Sequence, residues 1–139
     1  MNSGDCIFCK IIKKELPGTV VYEDQALLAI LDITPINAGH VLVLPKTHYE
    51  NLYDMNPDVL KEMIATIQKI AVAVKKATNA DGINIGMNNG SAAGQVVPHA
   101  HVHVIPRFKD DGYKLWESTK TYRDGETQAM AEKIKDEIK

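Results

Sequence analysis

Short β-rich segments separated by polar turns predict that this chain folds around a β-sheet. In one of the segments, Ile83, Ile85 and Met87 alternate with polar or small residues, which is the period of a strand with one buried face. The predicted strands cover residues 19–22, 26–31, 40–44, 82–87 and 99–105.

An apolar stripe at helical spacing over residues 59–74 predicts the main helix of the chain. Asn56 is suited to the N-cap and Pro57 to the first helical position, and the helix is expected to end near Asn79. A shorter helical pattern begins near Ile7 and is expected to end at residues 17–18, where a proline and a glycine follow each other.

The order of these elements is three strands, the long helix and two further strands, which is typical of an α+β fold. We expect an antiparallel sheet of about five strands with the long helix on one face and the short helix at the N-terminus. Residues 1–110 form the predicted domain, and residues 111–139 a C-terminal extension packed on the domain or on a dimer partner. Met130, Ile134 and Ile138 recur every four residues there, which predicts a short amphipathic helix.

The composition narrows the classes of function. The net charge of −2 offers no basic surface for DNA or RNA. The apolar runs are interrupted before the ~20 residues that a membrane span needs. Residues 1–5 lack the basic and then apolar order of a secretory signal. We therefore expect a cytoplasmic protein with neither nucleic-acid nor membrane partners.

Three of the five histidines, His99, His101 and His103, alternate with apolar residues near the end of the predicted domain. On a strand they share one face, while the residues between them face the core. Such a row suits three interpretations: a half-exposed polar face, a metal site, or phosphate chemistry in which one imidazole is the nucleophile. The glycine-containing segment 88–95 favours the third, because small residues let backbone N–H groups approach an anion.

Other candidate residues are ambiguous when taken alone. Cys6 and Cys9 permit redox, disulfide or metal chemistry, and zinc requires two more ligands from elsewhere in the chain. Asp32 either closes a turn or accepts hydrogen bonds from sugar hydroxyls. A group of apolar residues serves either as core or as the wall of a ligand pocket. This group comprises Ile7, Phe8, Ile11 and Ile30.

Residues 6–107 resemble the histidine triad (HIT) family, and in particular its Hint branch. The central motif is the run 99–105, in which His99, His101 and His103 alternate with apolar residues behind a Gly94-Gln95 pair. The upstream segments 32–35 and 39–46 also match, in the same order along the chain.

The resemblance implies an enzyme that cleaves nucleoside phosphoramidates or related nucleotide conjugates at the α-phosphate. His101 is then the nucleophile that forms a nucleotidyl-histidine intermediate, His103 supplies donors to the phosphate, and His40 orients the catalytic site. The alternatives are a dinucleoside polyphosphate hydrolase, a nucleotide-binding regulatory protein with little turnover, and a zinc hydrolase with its metal on the three histidines. The implied nucleotide-binding residues are Ile7, Phe8, Ile11, Ile30, Asp32, Ile33, Asn88, Gly94, Gln95, Val96, His101 and His103.

The resemblance further implies a homodimer that binds a purine nucleotide and holds one structural zinc ion per chain. The zinc ligands that match the family are Cys6, Cys9, His48 and His99. One position departs from the family pattern: Val96 stands where a serine or threonine hydroxyl usually assists the phosphate or leaving group. Turnover or leaving-group preference is therefore expected to differ from that of other members.

Overall fold

The computed structural model describes residues 4–138, so the ends of both predicted regions, residues 1–3 and 139, lie outside it. The strands are β1 (Val20–Glu23), β2 (Leu27–Leu31), β3 (Val41–Pro45), β4 (Gly82–Gly86) and β5 (Val102–Arg107). They form an antiparallel sheet in the order β1-β2-β3-β5-β4, which confirms the predicted α+β fold. The helices are α1 (Ile7–Ile12), α2 (Pro57–Thr78) and α3 (Glu126–Glu137).

Helix α2 begins and ends where the sequence predicts. The Asn56 side chain accepts a hydrogen bond from the Asp58 N–H at 2.8 Å, which satisfies one unpaired donor of the first turn. Asn79 adopts the left-handed conformation with φ 53° and ends the helix. The apolar stripe packs on one face of the sheet through Met63 and Ile67, which are buried.

The central strands are covered on both faces. Alternate residues of β2 and β3 face α2 and join its core, as Leu27 and Val43 do. The intervening residues, among them Leu28 and Leu44, pack with Phe8 of α1 on the opposite face. Because both faces are covered, β3 is buried along its whole length. The second face, beneath α1, is the one that carries the histidines.

The histidine segment departs from the predicted strand over its first half. Strand β5 begins at Val102 rather than at position 99, because a bend precedes it and the His99 N–H donates to the Val97 carbonyl at 2.9 Å. The next residue, Ala100, donates its N–H to the carbonyl of Tyr49 at 2.8 Å instead of joining the sheet. The predicted division into two faces still holds, since Ala100 and Val102 belong to the core beneath α2.

The two terminal helices differ from each other in their packing. Helix α1 ends at Ile12, earlier than predicted, since Lys14 has φ 64° and the chain turns there. The predicted C-terminal helix is confirmed as α3, but no residue of the described segment 112–138 is buried, and Met130 and Ile134 are exposed. Within residues 4–138, no helix combines the length and apolar character that a membrane crossing requires.

Candidate active site and metal centre

A cavity of about 560 Å³ opens between α1, the strand β2 and the loop that precedes β5. It brings together residues that are far apart in sequence, from Ile7 to His103. Of the nucleotide-binding residues that the resemblance implies, the following line it: Ile7, Phe8, Ile11, Ile30, Asp32, Ile33, Asn88, Gly94, Val96, His101 and His103. The lining also includes residues that the sequence analysis did not single out: Leu16, Pro17, Leu31, Thr34, Leu42 and Val97.

Gln95 lies in the same loop but does not line the cavity. Its amide oxygen accepts a hydrogen bond from the Gly90 N–H at 2.8 Å, and its amide nitrogen donates to the Glu50 carbonyl at 2.6 Å. Gly90 and Gly94 have φ of 90° and 92°, a backbone region that favours glycine. The side chain of Gln95 therefore holds the curvature of the loop, while the loop backbone borders the cavity.

Asp32 closes a turn, as the first of its two sequence interpretations predicts, and it also lines the cavity. Its Oδ1 accepts hydrogen bonds from the N–H and the hydroxyl of Thr34, at 2.9 and 3.2 Å, and so closes a turn. The same carboxylate borders the cavity, where a ligand can meet it. Its Oδ2 lies 3.6 Å from His40 Nε2.

His101 is held in one tautomer by the backbone. Its Nδ1 lies 2.7 Å from the carbonyl oxygen of His99. Since a carbonyl can only accept, Nδ1 carries the proton and the neutral ring has its lone pair on Nε2. Burial lowers the pKa of His101, which keeps the ring neutral. The Phe8 ring packs against it in a T-shaped arrangement, with 5.1 Å between the ring centroids. The ring is therefore neutral and held in one orientation, with the lone pair of Nε2 available.

His40 and His103 form a hydrogen-bonded pair beside His101. His40 Nε2 lies 2.9 Å from His103 Nδ1, and the rings of His101 and His103 are 5.1 Å apart. Burial lowers the pKa of His40, an effect that the charge of Asp32 opposes. Burial, with a contribution from the neighbouring His101 and His40, lowers the pKa of His103 to about 4. All three rings are thus uncharged at neutral pH.

A second cluster contains the four residues that match the family's zinc ligands. Its members are Cys6, Cys9, His48 and His99, and their ligand atoms all lie within 4.8 Å of one another. The His48 and His99 Nδ1 atoms are 3.1 Å apart, and the Cys9 Sγ lies 3.3 and 3.5 Å from them. The cluster ties the N-terminal segment to the turn that precedes β5.

These distances fit a tetrahedral metal site. A zinc ion with four nitrogen and sulfur ligands has ligand-to-ligand edges of about 3.3–3.8 Å. The His99 Nε2–H donates to the Pro45 carbonyl at 2.8 Å, which leaves Nδ1 free to bind a metal. Burial raises the pKa of the Cys9 thiol to about 11, so a cation is needed to hold it as thiolate. The residues therefore suit a closed structural site for a divalent metal.

The three triad histidines do not form a metal site of their own. His99 turns its Nδ1 towards the cysteines, whereas His101 Nδ1 is bound to a backbone carbonyl and His103 Nδ1 to His40. Within residues 4–138 the three rings do not share one group of converging ligand atoms, since His99 belongs to the cluster with the cysteines and His103 to a separate group with Asp32 and His40. A zinc hydrolase with its metal on all three histidines is thus not supported by this geometry.

Comparison with known proteins identifies the family. The sequence pattern of the HIT domain matches residues 13–110, more than half of the chain, so the protein belongs to the HIT domain family. An uncharacterized HIT-like protein of Methanocaldococcus jannaschii is 53% identical over 107 residues, covering 77% of this chain and 82% of that protein. The predicted family is therefore confirmed.

Two relatives have names that state an activity. Adenylylsulfatase HINT3 of Arabidopsis thaliana is 46% identical over 115 residues, covering 83% of this chain and 57% of that protein. Adenosine 5'-monophosphoramidase HNT1 of Candida albicans is 37% identical over 144 residues, covering 99% of this chain and 93% of that protein.

Solved structures extend the likeness over the whole fold. A protein of Streptococcus mutans superposes with a TM-score of 0.93 at 44% identity, covering 100% of this chain and 87% of that one. A Zn-bound histidine triad family protein from Mycobacterium smegmatis has a TM-score of 0.77 at 38% identity, covering 99% of this chain and 100% of that one. Both alignments cover nearly the whole of this chain.

Proposed function

We propose that this protein hydrolyses nucleotide conjugates, including nucleoside phosphoramidates, by attack of His101 on the α-phosphate. The observation that carries this proposal is the 2.7 Å contact between His101 Nδ1 and the His99 carbonyl, because it leaves Nε2 with a lone pair. A nucleotidyl-histidine intermediate divides one difficult displacement into two easier ones. The names of the two relatives with a stated activity support the same substrate class.

The groups around His101 suit a phosphoryl centre. Phosphoryl transfer depends on positioning and on donors aimed at the phosphate oxygens. In this proposal His103 and the Asn88 amide are side-chain donors, and the backbone N–H groups around Gly94 and Val96 supply the rest. Among residues 4–138, no lysine or arginine lines the cavity, so hydrogen bonds rather than cationic side chains hold the phosphate.

The nucleoside is assigned to the apolar half of the cavity. Asp32 and the backbone of Ile33 are placed to meet the ribose hydroxyls in this proposal. A purine would pack on the side chains contributed by α1 and β2, among them Ile7, Phe8 and Ile30. The base is thus recognised mainly by apolar contact.

We assign a structural zinc ion to the Cys6, Cys9, His48 and His99 cluster. When bound, zinc supplies a crosslink between the N-terminal segment and the turn before β5. His99 belongs to that cluster, and its carbonyl also accepts the hydrogen bond from His101 Nδ1–H. The metal centre and the nucleophile are therefore joined through one residue.

The direct assay mixes the protein with an adenosine phosphoramidate and follows release of adenosine monophosphate. Release that depends on His101 supports the hydrolase, and the same assay on a dinucleoside polyphosphate measures that alternative substrate. A protein that binds the nucleotide and never turns it over would support the regulatory alternative. If a chelator rapidly abolished activity and no covalent intermediate formed, the result would support a zinc hydrolase in which the metal carries out catalysis.

Replacement of Val96 by serine is expected to raise turnover of the phosphoramidate about fivefold. A hydroxyl at this position adds one hydrogen bond to the phosphate or leaving group, worth ~1 kcal/mol in the transition state. Val96 suits the test because its side chain is exposed in the loop that borders the cavity. Val96→Ala is the matched control, since it removes the same methyl groups without adding a hydroxyl. Steady-state rates of Val96→Ser at or below those of the wild type would refute the prediction.

We also propose that the protein is a homodimer whose subunits meet at β4 and α2. Strand β4 is an edge of the sheet, and Gly82 and Gly86 leave it open, with no atom near either Cβ position. Beside this edge lies an apolar groove that includes Ile64 and Ile85, both exposed in the single chain. A second copy related by a two-fold axis would extend the sheet and cover the groove.

Replacement of Ile85 by lysine is expected to weaken this dimer at least about a hundredfold, because a charge would be buried at the proposed interface. Analytical ultracentrifugation over a concentration series measures the change. Val20→Lys on β1, the opposite edge of the sheet, is the matched control and should leave association unchanged. Dissociation by Val20→Lys but not by Ile85→Lys would place the interface elsewhere.

A further inference from the structure

A backbone N–H fixes where the protons of His40 and His103 lie. The Ile36 N–H donates to His40 Nδ1 at 3.1 Å, so this nitrogen has the lone pair and the neutral ring carries its proton on Nε2. His40 Nε2 lies 2.9 Å from His103 Nδ1 and donates to it. His103 Nδ1 is then an acceptor, and the neutral His103 ring presents Nε2–H as its donor.

The same tautomer argues against a metal site at these residues. The ligand atoms of Asp32, His40 and His103 lie within 4.8 Å of one another, which is close enough to hold a metal ion. A metal on His40 Nε2 would force the ring proton onto Nδ1, which faces the N–H of Ile36. Two donors would then oppose each other, so the pair is arranged for a hydrogen bond rather than for a metal.

His103 can donate a hydrogen bond but has no proton to give away. Loss of the Nε2 proton from the neutral ring would leave an imidazolate, and His40 cannot replace it without becoming an imidazolate itself. Burial holds the pKa of His103 at about 4, so the cationic form is scarce at neutral pH. His103 therefore stabilises charge on the phosphate without acting as a general acid.

The rest of the cavity offers no substitute acid. Within residues 4–138, the lining contains no lysine, cysteine, tyrosine or serine. Its one hydroxyl, that of Thr34, donates to Asp32 Oδ1 at 3.2 Å, and Asp32 serves that turn as an acceptor. His101 keeps its proton on Nδ1, bound to a backbone carbonyl. The side chain of Val96, exposed in the loop that borders the cavity, offers only methyl groups.

On the basis of the proposed nucleotidyl transfer, we infer that this site selects substrates by the acidity of their leaving group. Its best substrates are mixed anhydrides of a nucleoside monophosphate with a carboxylic, phosphoric or sulfuric acid, whose leaving groups depart as stable anions. Conjugates whose leaving group needs a proton to depart, such as phosphoramidates of alkylamines, are also cleaved but more slowly than these anhydrides.

Transfer of the nucleotidyl group to His101 and hydrolysis of the intermediate both proceed without a proton from the protein. The Nε2 lone pair of His101 forms the N–P bond while the bond from phosphorus to the leaving group breaks, and the leaving group takes the electron pair. Water then forms the new O–P bond, the N–P bond breaks, and the proton of that water passes to the solvent. The leaving anion is protonated in solution, so one water is consumed and His101 returns to its neutral form.

The test uses aryl esters of adenosine 5'-monophosphate whose phenols differ in acidity. The nucleoside and the bridging oxygen stay the same, and phenol release is followed in a single turnover, so that hydrolysis of the intermediate does not obscure the first step. We expect the rate to rise about fivefold or more for each unit by which the pKa of the phenol falls. A rate independent of phenol acidity would overturn the inference, and this measurement needs no variant.

His103→Gln isolates the residue on which the inference depends. Glutamine keeps an N–H donor but cannot transfer a proton, so the variant should be slower with the same dependence on phenol acidity. A steeper dependence in His103→Gln than in the wild type would identify His103 as a general acid and overturn the inference. Phenol release that is equally fast in His101→Asn, or absent with every ester, would instead count against the proposed function.

Discussion

Replacement of His101 by asparagine is expected to lower turnover of every nucleotide conjugate by at least about a thousandfold. The loss of an attacking nucleophile removes the covalent route itself, and such losses are the largest that single substitutions produce in enzymes. Asparagine is close in size to the imidazole and can still donate to the His99 carbonyl. The measurement is release of adenosine monophosphate, with nucleotide affinity determined on the same sample.

The controls separate lost chemistry from lost structure. His101→Asn should retain the metal content and the melting temperature of the wild type, because the substitution leaves the zinc ligands and the sheet in place. His101→Gly leaves room for free imidazole, and addition of imidazole should restore part of the turnover. Equal turnover in the wild type and His101→Asn would contradict the proposed role of this ring. Tight nucleotide binding with no turnover in either protein would favour the regulatory alternative.

Replacement of Cys9 by serine is expected to abolish zinc binding and to lower the melting temperature by about 10 °C. Cys9 is buried and its Sγ lies within 3.5 Å of both histidine ligands. A ligand present at a concentration about a hundred times its dissociation constant stabilises the folded state by about 3 kcal/mol. In a domain of this size, losing that free energy lowers the melting temperature by about 10 °C. Metal analysis of the purified protein and thermal unfolding measure the two effects.

A chelator provides the matched comparison for Cys9→Ser. It should lower the melting temperature of the wild type towards that of the variant and leave the variant unchanged. Turnover should also fall in Cys9→Ser, because His99 is a proposed zinc ligand and its carbonyl holds the tautomer of His101. A Cys9→Ser protein with one zinc per chain and the melting temperature of the wild type would contradict the assignment.

Local signals in the sequence predict the framework of the fold. Asn56, Pro57 and Asn79 determine both ends of α2 through capping and backbone conformation, which depend on neighbouring residues alone. The alternation of His101 and His103 with valines predicts which face of the sheet carries the histidines. These features follow from the periodicity of helices and strands, so a single sequence contains them.

Contacts between distant residues determine what the sequence does not predict. The bend before β5 depends on the hydrogen bond from Ala100 to Tyr49, and the orientation of Gln95 depends on the carbonyl of Glu50. Leu42 lines the cavity because it pairs with His103 across β3 and β5, which no local pattern indicates. The cysteine pair alone does not specify a metal site, and only the family resemblance supplied His48 and His99.

The sequence also does not predict which ring nitrogen of His40, His99 or His101 carries the proton. Three backbone groups determine these proton positions: the carbonyl of His99, the N–H of Ile36 and the carbonyl of Pro45. Each fixes the tautomer of one ring, so main-chain contacts distinguish the proposed nucleophile His101, the proposed donor pair of His40 and His103, and the proposed metal ligand His99. Identical side chains thus acquire different chemistry from the backbone atoms that surround them.

The most direct test of the proposed chemistry is to stop a single turnover by rapid quench and locate the bound nucleotide by peptide mapping. With an adenosine 5'-monophosphate conjugate, the account predicts an adenylyl group on His101 that forms as the leaving group is released and then disappears. Complete release of the leaving group with no adenylyl group on the protein at any time, or with the group on another residue, would contradict it.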